Sequence, residues 1–242
     1  MNTDKEILSI ANIDVDVVRK DIKNMHLAVY PPHGRIRLSA PNKTDPEVLR
    51  LFAISKLGWI KKHVKNFKEQ PREPNRDYLS GESHYLEGKR FLLTVIEREG
   101  PSKVELSGTK KIILYVSPEK NTEQRAKVMK EWYRTRLKFS IPALLEKWEK
   151  EIGVRTNGFG VRHMKTKWGS CNIEAKKIYI NLELAKKPVQ CLEFIIVHEL
   201  VHLLERNHNN RFIAFMDQFM PKWRLYREEL NNLPVSHIDW RY

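Results

Sequence analysis

Apolar and polar residues alternate with a period of two through the first forty positions. Ile13-Asp14-Val15-Asp16-Val17-Val18, Leu27-Ala28-Val29-Tyr30 and Ile36-Arg37-Leu38 each predict a short strand. Pro31, Pro32 and Gly34 predict a turn between the last two. Thr44-Asp45-Pro46-Glu47 then marks a helix start. The spacing predicts one long helix through Leu51, Ile54, Leu57, Trp59, Ile60 and Val64, with Lys56, Lys61, Lys62, Lys65 and Lys68 on its polar face. A break follows from Pro71 to Asn75, and strands are predicted again at 83–86, 91–96 and 112–116 between glycine-containing turns.

From Asn121 the period lengthens. Ala126, Met129, Trp132, Tyr133, Leu137, Ile141, Leu144, Leu145 and Trp148 lie near helical spacing, with Pro142 able to bend the helix. Strands are expected around 158–167 and 177–184. A helix begins after Pro188, and its stretch from Cys191 to Leu204 is apolar almost all round, which predicts burial. A last helix is expected over 210–231, where Phe212, Phe215, Phe219, Trp223 and Tyr226 read as core. The pattern combines strands and helices. Residues 1–118 form a sheet-rich region with one long helix, and 119–242 form the second region.

At 242 residues the chain can bury a substantial core as one domain or two closely packed ones. Its formal net charge of +14 favours an anionic substrate, nucleic acid or acidic surface, although a merely solvated basic surface accounts for it equally well. No arginine-rich tract or aromatic-interleaved basic repeat marks a nucleic-acid module. Two cysteines, Cys171 and Cys191, define no disulfide framework, and reduced thiols are expected. The N-terminus lacks a secretory signal, and no apolar run reaches the roughly 20 residues that span a bilayer. The expected location is the cytoplasm, without a membrane partner. The sequence carries no reading of oligomeric state.

One segment changes the picture. Residues 198 to 208 read His-Glu-Leu-Val-His-Leu-Leu-Glu-Arg-Asn-His. On a helix His198 and His202 share a face and can direct two imidazoles at one zinc ion, with Glu199 beside them. Asn207 and its neighbours are of the type that ends a helix in left-handed conformation, which would return His208 as third ligand. Three protein ligands leave one position for water, whose pKa zinc lowers to about 7, and Glu199 is suited to take its proton. Histidine and glutamate in so apolar a helix would be costly unless paired or bound to metal. Nickel, cobalt or manganese are also accepted by such ligands. A non-enzymatic, nucleic-acid-associated zinc module is disfavoured, because structural sites are normally closed by four protein ligands; Cys171 would have to supply the fourth.

Lys167-Trp168-Gly169-Ser170-Cys171, Asn181-Leu182, His198-Glu199-Leu200-Val201-His202-Leu203 and Asn207-His208 together resemble the YgjP-like metal-dependent hydrolases. Those are similar to SprT-like and other zincin metallopeptidases. The resemblance covers the whole chain, including the segment from Gly81 to Phe91. It implies an α+β fold with a zincin-like catalytic half whose ligand helix packs on a small antiparallel sheet, zinc held by His198, His202 and His208, and Glu199 as general base. The ligand spacing also matches the metzincins, but their glycine between the second and third histidines is Glu205 here, which argues against that group. Glu205 lies one turn after His202 and is a weaker candidate for the metal or its surroundings.

Two chemistries suit such a centre. In amide hydrolysis Glu199 passes a proton to the leaving nitrogen, and a strand such as Lys177 to Leu184 would hold an extended substrate. His163, Lys167 and Tyr179 are the candidate oxyanion donors. The alternative, which the resemblance also implies, is pyrophosphate hydrolysis of nucleoside triphosphates such as UTP. His163, Lys165 and Lys167 alternate along the expected strand next to Trp168, so the cations would face phosphates while the indole stacks on a base. The competing reading is an exposed strand face with Trp168 in the core. No acidic cluster of the kind that holds magnesium around phosphates is evident.

Overall fold

The computed structural model describes residues 6–30, 34–69, 75–164 and 167–234. The expected Pro31-Pro32 turn, most of the break before Asn75, and Lys165 lie outside them. The chain forms two compact units that divide between residues 72 and 73. The boundary expected near 118 falls inside the second unit. Leu93, Ile112 and Leu114 share one core with Met129, Tyr133 and Leu137, so the change of period at Asn121 marks a change of element.

In the first unit, strands Glu6–Ile10 (β1), Ile13–Lys20 (β2), His26–Tyr30 (β3) and Arg35–Pro41 (β4) form a sheet in the order β1-β2-β4-β3. β2 and β4 run parallel and the other pairs antiparallel. Ala11 and Asn12 both have positive φ, which matches the twist of a two-residue hairpin between β1 and β2. Asp45 caps helix Pro46–Ser55 (α1) by accepting from the Glu47 amide at 2.8 Å. The single long helix expected here is two. At Lys56 the backbone leaves helical geometry (φ −104°, ψ 4°) and its amide bonds back to Ala53 at 3.1 Å, after which Leu57–Glu69 (α2) starts afresh. Val15, Val17, Leu38, Leu49 and Ile60 form this unit's core.

The second unit opens with Ser83–Leu86 (β5), Lys89–Glu97 (β6), Lys103–Ser107 (β7) and Lys111–Val116 (β8), in the order β5-β6-β8-β7. Helix Thr122–Ile152 (α3) follows. A reciprocal pair of hydrogen bonds between Asn121 and Gln124 caps its start, and Gly153, at φ 75°, ends it. Its buried residues, Met129, Tyr133, Leu137, Ile141, Leu145, Trp148 and Ile152, recur every three or four positions as one stripe that continues past Pro142.

Gly158–Arg162 (β9), Gly169–Asn172 (β10) and Lys177–Asn181 (β11) make a small sheet in the order β10-β11-β9. It is mixed where an antiparallel sheet was expected, since β11 pairs antiparallel with β10 and parallel with β9. The two strands expected here are both shorter than predicted. β9 stops at Arg162, and β11 gives way to a 3-10 turn, Leu182–Lys186, because Asn181 turns its side chain to accept the Glu183 amide at 3.2 Å. Helix Val189–Val201 (α4) packs on this sheet and buries nine of its thirteen residues, as its all-round apolarity requires. The last helix is also two, Asn210–Phe219 (α5) and Trp223–Asn232 (α6). Pro221 has no N–H to give and excludes Met220 from helical geometry, leaving it at φ −138°, ψ 74°. The fold is mixed α+β. Among the described residues no helix is long and apolar enough to cross a membrane.

Candidate metal centre

His198 and Glu199 lie in the last turns of α4, and His202 is its C-cap residue, still helical at φ −63°, ψ −17°. The His202 amide meets the His198 carbonyl at 3.4 Å, so the two rings share a face as their spacing predicts. Beyond the helix the chain turns without the left-handed residue expected near Asn207. The amides of Leu203 and Glu205 bond back to Leu200 and Val201 at 3.0 Å each. The Glu205 carboxylate then accepts the Asn207 amide at 3.1 Å, and Asn209 caps α5 by accepting from Phe212 at 3.0 Å. This polar scaffold, which does the work a left-handed cap would do, brings His208 back over α4.

The three imidazoles converge. One ligating atom from each of His198, His202 and His208 lies within 4.8 Å of the others, and the Nε2 atoms of His198 and His208 are 3.0 Å apart. The Phe212 ring, almost fully buried, touches all three at centroid distances of 4.9, 4.8 and 4.7 Å. His202 Nδ1 donates to the Glu205 carbonyl at 3.1 Å, which fixes the tautomer and leaves Nε2 with a lone pair that could bind a metal. Glu205 therefore acts through its backbone on the orientation of the His202 ring, and its carboxylate serves the turn. Burial, then the neighbouring imidazoles, lower His198 to about 3, and burial also lowers His202. Both are thus neutral near pH 7, the form that binds metal. Zinc at about 2.0–2.1 Å from each nitrogen, in tetrahedral geometry, would separate ligand nitrogens by roughly 3.3 Å, which these residues fit.

Glu199 is buried at 5 % exposure, and that burial pushes its carboxyl up to about 8, with Lys167 pulling the other way. Strand β10 lies hard against it. A Cβ on Gly169 would sit 2.5 Å from Glu199 Oε1 and 2.8 Å from its Cγ, so only glycine lets the strand approach this closely. Gly169 pairs with Ile180, and Cys171 with Ile178, on the face turned to α4. Burial and the Glu199 charge push the Cys171 thiol up to about 11, and its sulfur is not part of the converging donor set.

The remaining candidates separate. Tyr179 pairs with Ser170 on the opposite face of the sheet from Gly169, lying across Gly160 with the Arg162 guanidinium 3.6 Å from its ring centre. His163 sits past the end of β9, 3.9 Å from the Glu183 carboxylate. The alternating strand face that was to join His163, Lys165 and Lys167 is therefore not formed over the described residues. Trp168 packs against the core, and among the described members of the group Lys167 alone brings its charge to Glu199.

Three contributors escaped sequence reasoning as site residues: Gly169, Phe212 and Asn181. Asn181, 4 % exposed, uses its whole amide. It donates to the carbonyls of Met164 at 2.9 Å and Lys167 at 2.7 Å, and it accepts the Met164 amide at 3.3 Å besides that of Glu183. Its backbone amide also reaches the Trp168 carbonyl at 2.9 Å. The segment leading into Gly169 is thus pinned from one buried side chain. A glycine between Trp168 and Ser170 in a strand is a signal of close backbone approach, and it was available in the sequence.

No curated protein sequence matches the chain significantly. Among solved structures, the metallopeptidase zymogen abylysin of Pyrococcus abyssi is similar over 36 % of this chain and 89 % of its own, with 17 % identity and a TM-score of 0.34. The model of the YgjP-like metallopeptidase domain matches residues 23–233, a span that contains both the Trp168-Gly169-Ser170 strand and all three histidines. The chain belongs to the YgjP-like metallopeptidase-domain family.

Proposed function

We propose that this metal-dependent hydrolase cleaves amide bonds with zinc held by His198, His202 and His208 and with Glu199 as general base. The observation that carries the reading is the convergence of three imidazoles beside one buried carboxylate. Bound there, zinc would supply Lewis acidity and lower the pKa of a coordinated water to about 7. Other divalent transition metals suit the same donors. Glu199 takes the proton of the attacking water and returns it to the leaving nitrogen. Its raised pKa belongs to the metal-free site; a cation beside it would favour the carboxylate. Of the candidate oxyanion donors, Lys167 is favoured, because Tyr179 faces away and His163 lies beside Glu183.

An extended substrate would not add to β11, which is the central strand and already paired on both edges. The open edge next to Glu199 is that of β10, and substrate strand addition is assigned to it. For nucleoside triphosphates the supporting observation was a strand face of His163, Lys165 and Lys167, and β9 ends before it.

The test pairs zinc-loaded wild type with Glu199→Gln on two panels. One is a peptide library read for new termini by mass spectrometry; the other is UTP read by anion-exchange chromatography. New peptide termini from wild type, reduced at least about a hundredfold in the variant at equal zinc content, are expected. UMP and pyrophosphate from wild type without peptide cleavage would replace amide hydrolysis with phosphoanhydride chemistry.

A further inference from the structure

The sheet β5-β6-β8-β7 ends in β7, whose outer edge pairs with no strand among the described residues. A cavity of about 640 Å³ opens beside it, within the range of about 300–1,000 Å³ common for ligand sites. One wall is the consecutive run Ser102, Lys103 and Val104. Successive strand residues point to opposite faces, so the cavity meets β7 edge-on, where unpaired backbone N–H and C=O groups project. The other wall is Gln124, Lys127, Val128, Glu131 and Trp132 of α3, spaced by three and four and hence on one face.

The charges are one-sided. Lys103, Lys120 and Lys127 line the cavity against one acid, Glu131, which Arg134 holds at 3.2 Å. Lys103 pairs with Glu105, whereas Lys120 and Lys127 make no ion pair among the described residues. Val104, Val128 and Trp132, all partly buried against the core, supply the apolar floor. Lysine on an edge strand repels basic segments and discourages neutral ones, since pairing would desolvate its charge; the same charge selects an acidic segment.

We propose that the β7 edge binds an acidic, extended peptide segment of a partner protein as a fifth strand of this sheet. Side chains of one parity pack on Val104, Val128 and Trp132, and the carboxylates at the ends of the segment reach Lys120 and Lys127 at the rim. The five residues of β7 give an edge of roughly 17 Å, enough for five or six residues of partner. The site does not depend on the metal centre or its chemistry.

The probe is a fluorescein-labelled hexapeptide of alternating glutamate and valine, measured by anisotropy against the full chain. A second peptide carries N-methyl groups on alternate residues, which keeps its charge and removes strand hydrogen bonds. Saturable binding is expected, weakened at least about tenfold by N-methylation and by Lys120→Glu with Lys127→Glu, together with slowed amide exchange in β7. Circular dichroism of the double variant checks that its fold is kept. Absence of binding, equal binding of the N-methylated peptide, or equal competition by an oligothymidylate of the same charge would each overturn the proposal.

Discussion

Gly169 is the residue whose replacement the site should tolerate least. Its missing side chain is occupied by Glu199 and Ile195, with Glu199 Oε1 2.5 Å from where a Cβ would be. Gly169→Ala must displace either β10 or the carboxylate, at a cost of about 1–3 kcal/mol. Turnover should fall more than tenfold while the metal content stays at one per chain, which assay and metal analysis of the variant would check. The carboxyl itself makes a pH prediction for metal-free protein. The Glu199 pKa is raised from 4.5 to about 8, so folding is favoured below 4.5 and loses stability as pH rises towards 8. His198, lowered from 6.5 to about 3, acts in the other window: its stability is full above 6.5 and lost as pH falls towards 3. Glu199→Gln removes only the first effect. In urea unfolding with a chelator present, wild type should therefore lose stability relative to the variant between pH 5 and pH 8; parallel behaviour would contradict the buried carboxyl. The histidines were legible in the sequence because ligand spacing on a helix is a local property. The contact between Gly169 and Glu199 joins residues thirty apart, and only the packed fold discloses it.

Among elements, strong periodicity was read well and weak strands were not. α3 kept its apolar stripe over 31 residues, and β5 appeared with its predicted bounds. β1, β7 and β10 were missed as short edge strands with few buried residues: β1 and β10 carry little alternation in their sequence, and β7, Lys-Val-Glu-Leu-Ser, alternates over five positions only. The helix breaks at Lys56 and before Pro221 were passed over because their apolar residues continue across the breaks at helical spacing. Strand β11 ends where Asn181 competes for backbone groups, and its bonds also hold Met164, Lys167 and Trp168. Asn181→Ala leaves several of these groups without partners and should cost at least about 2 kcal/mol. Because Lys167 is released as well, kcat should fall more than the loss of folded protein explains. Thermal melts and kinetics on the same preparation separate the two effects; a fall in folded fraction alone would make Asn181 purely structural.

The whole molecule keeps its chemistry in one place. Every donor of the metal centre, the Glu199 carboxylate and the sheet against it belong to the second unit, which also carries its own core. Periodicity predicted strands with helices and composition an excess of positive charge, but neither could place the division at residue 72. That depends on which strands share a core with α3. The +14 charge finds one structural outlet in the lysines beside β7 and is otherwise spread along the chain. The central claim is that the three histidines hold a metal whose coordination is left open beside Glu199, as catalysis needs. Zinc K-edge X-ray absorption of the zinc-loaded full chain tests it most directly. The account predicts three imidazole nitrogens, light-atom scattering from solvent in the remaining position, and loss of one imidazole shell in His208→Ala. A sulfur scatterer near 2.3 Å, placing Cys171 on the metal, or an unchanged spectrum in His208→Ala, would contradict it.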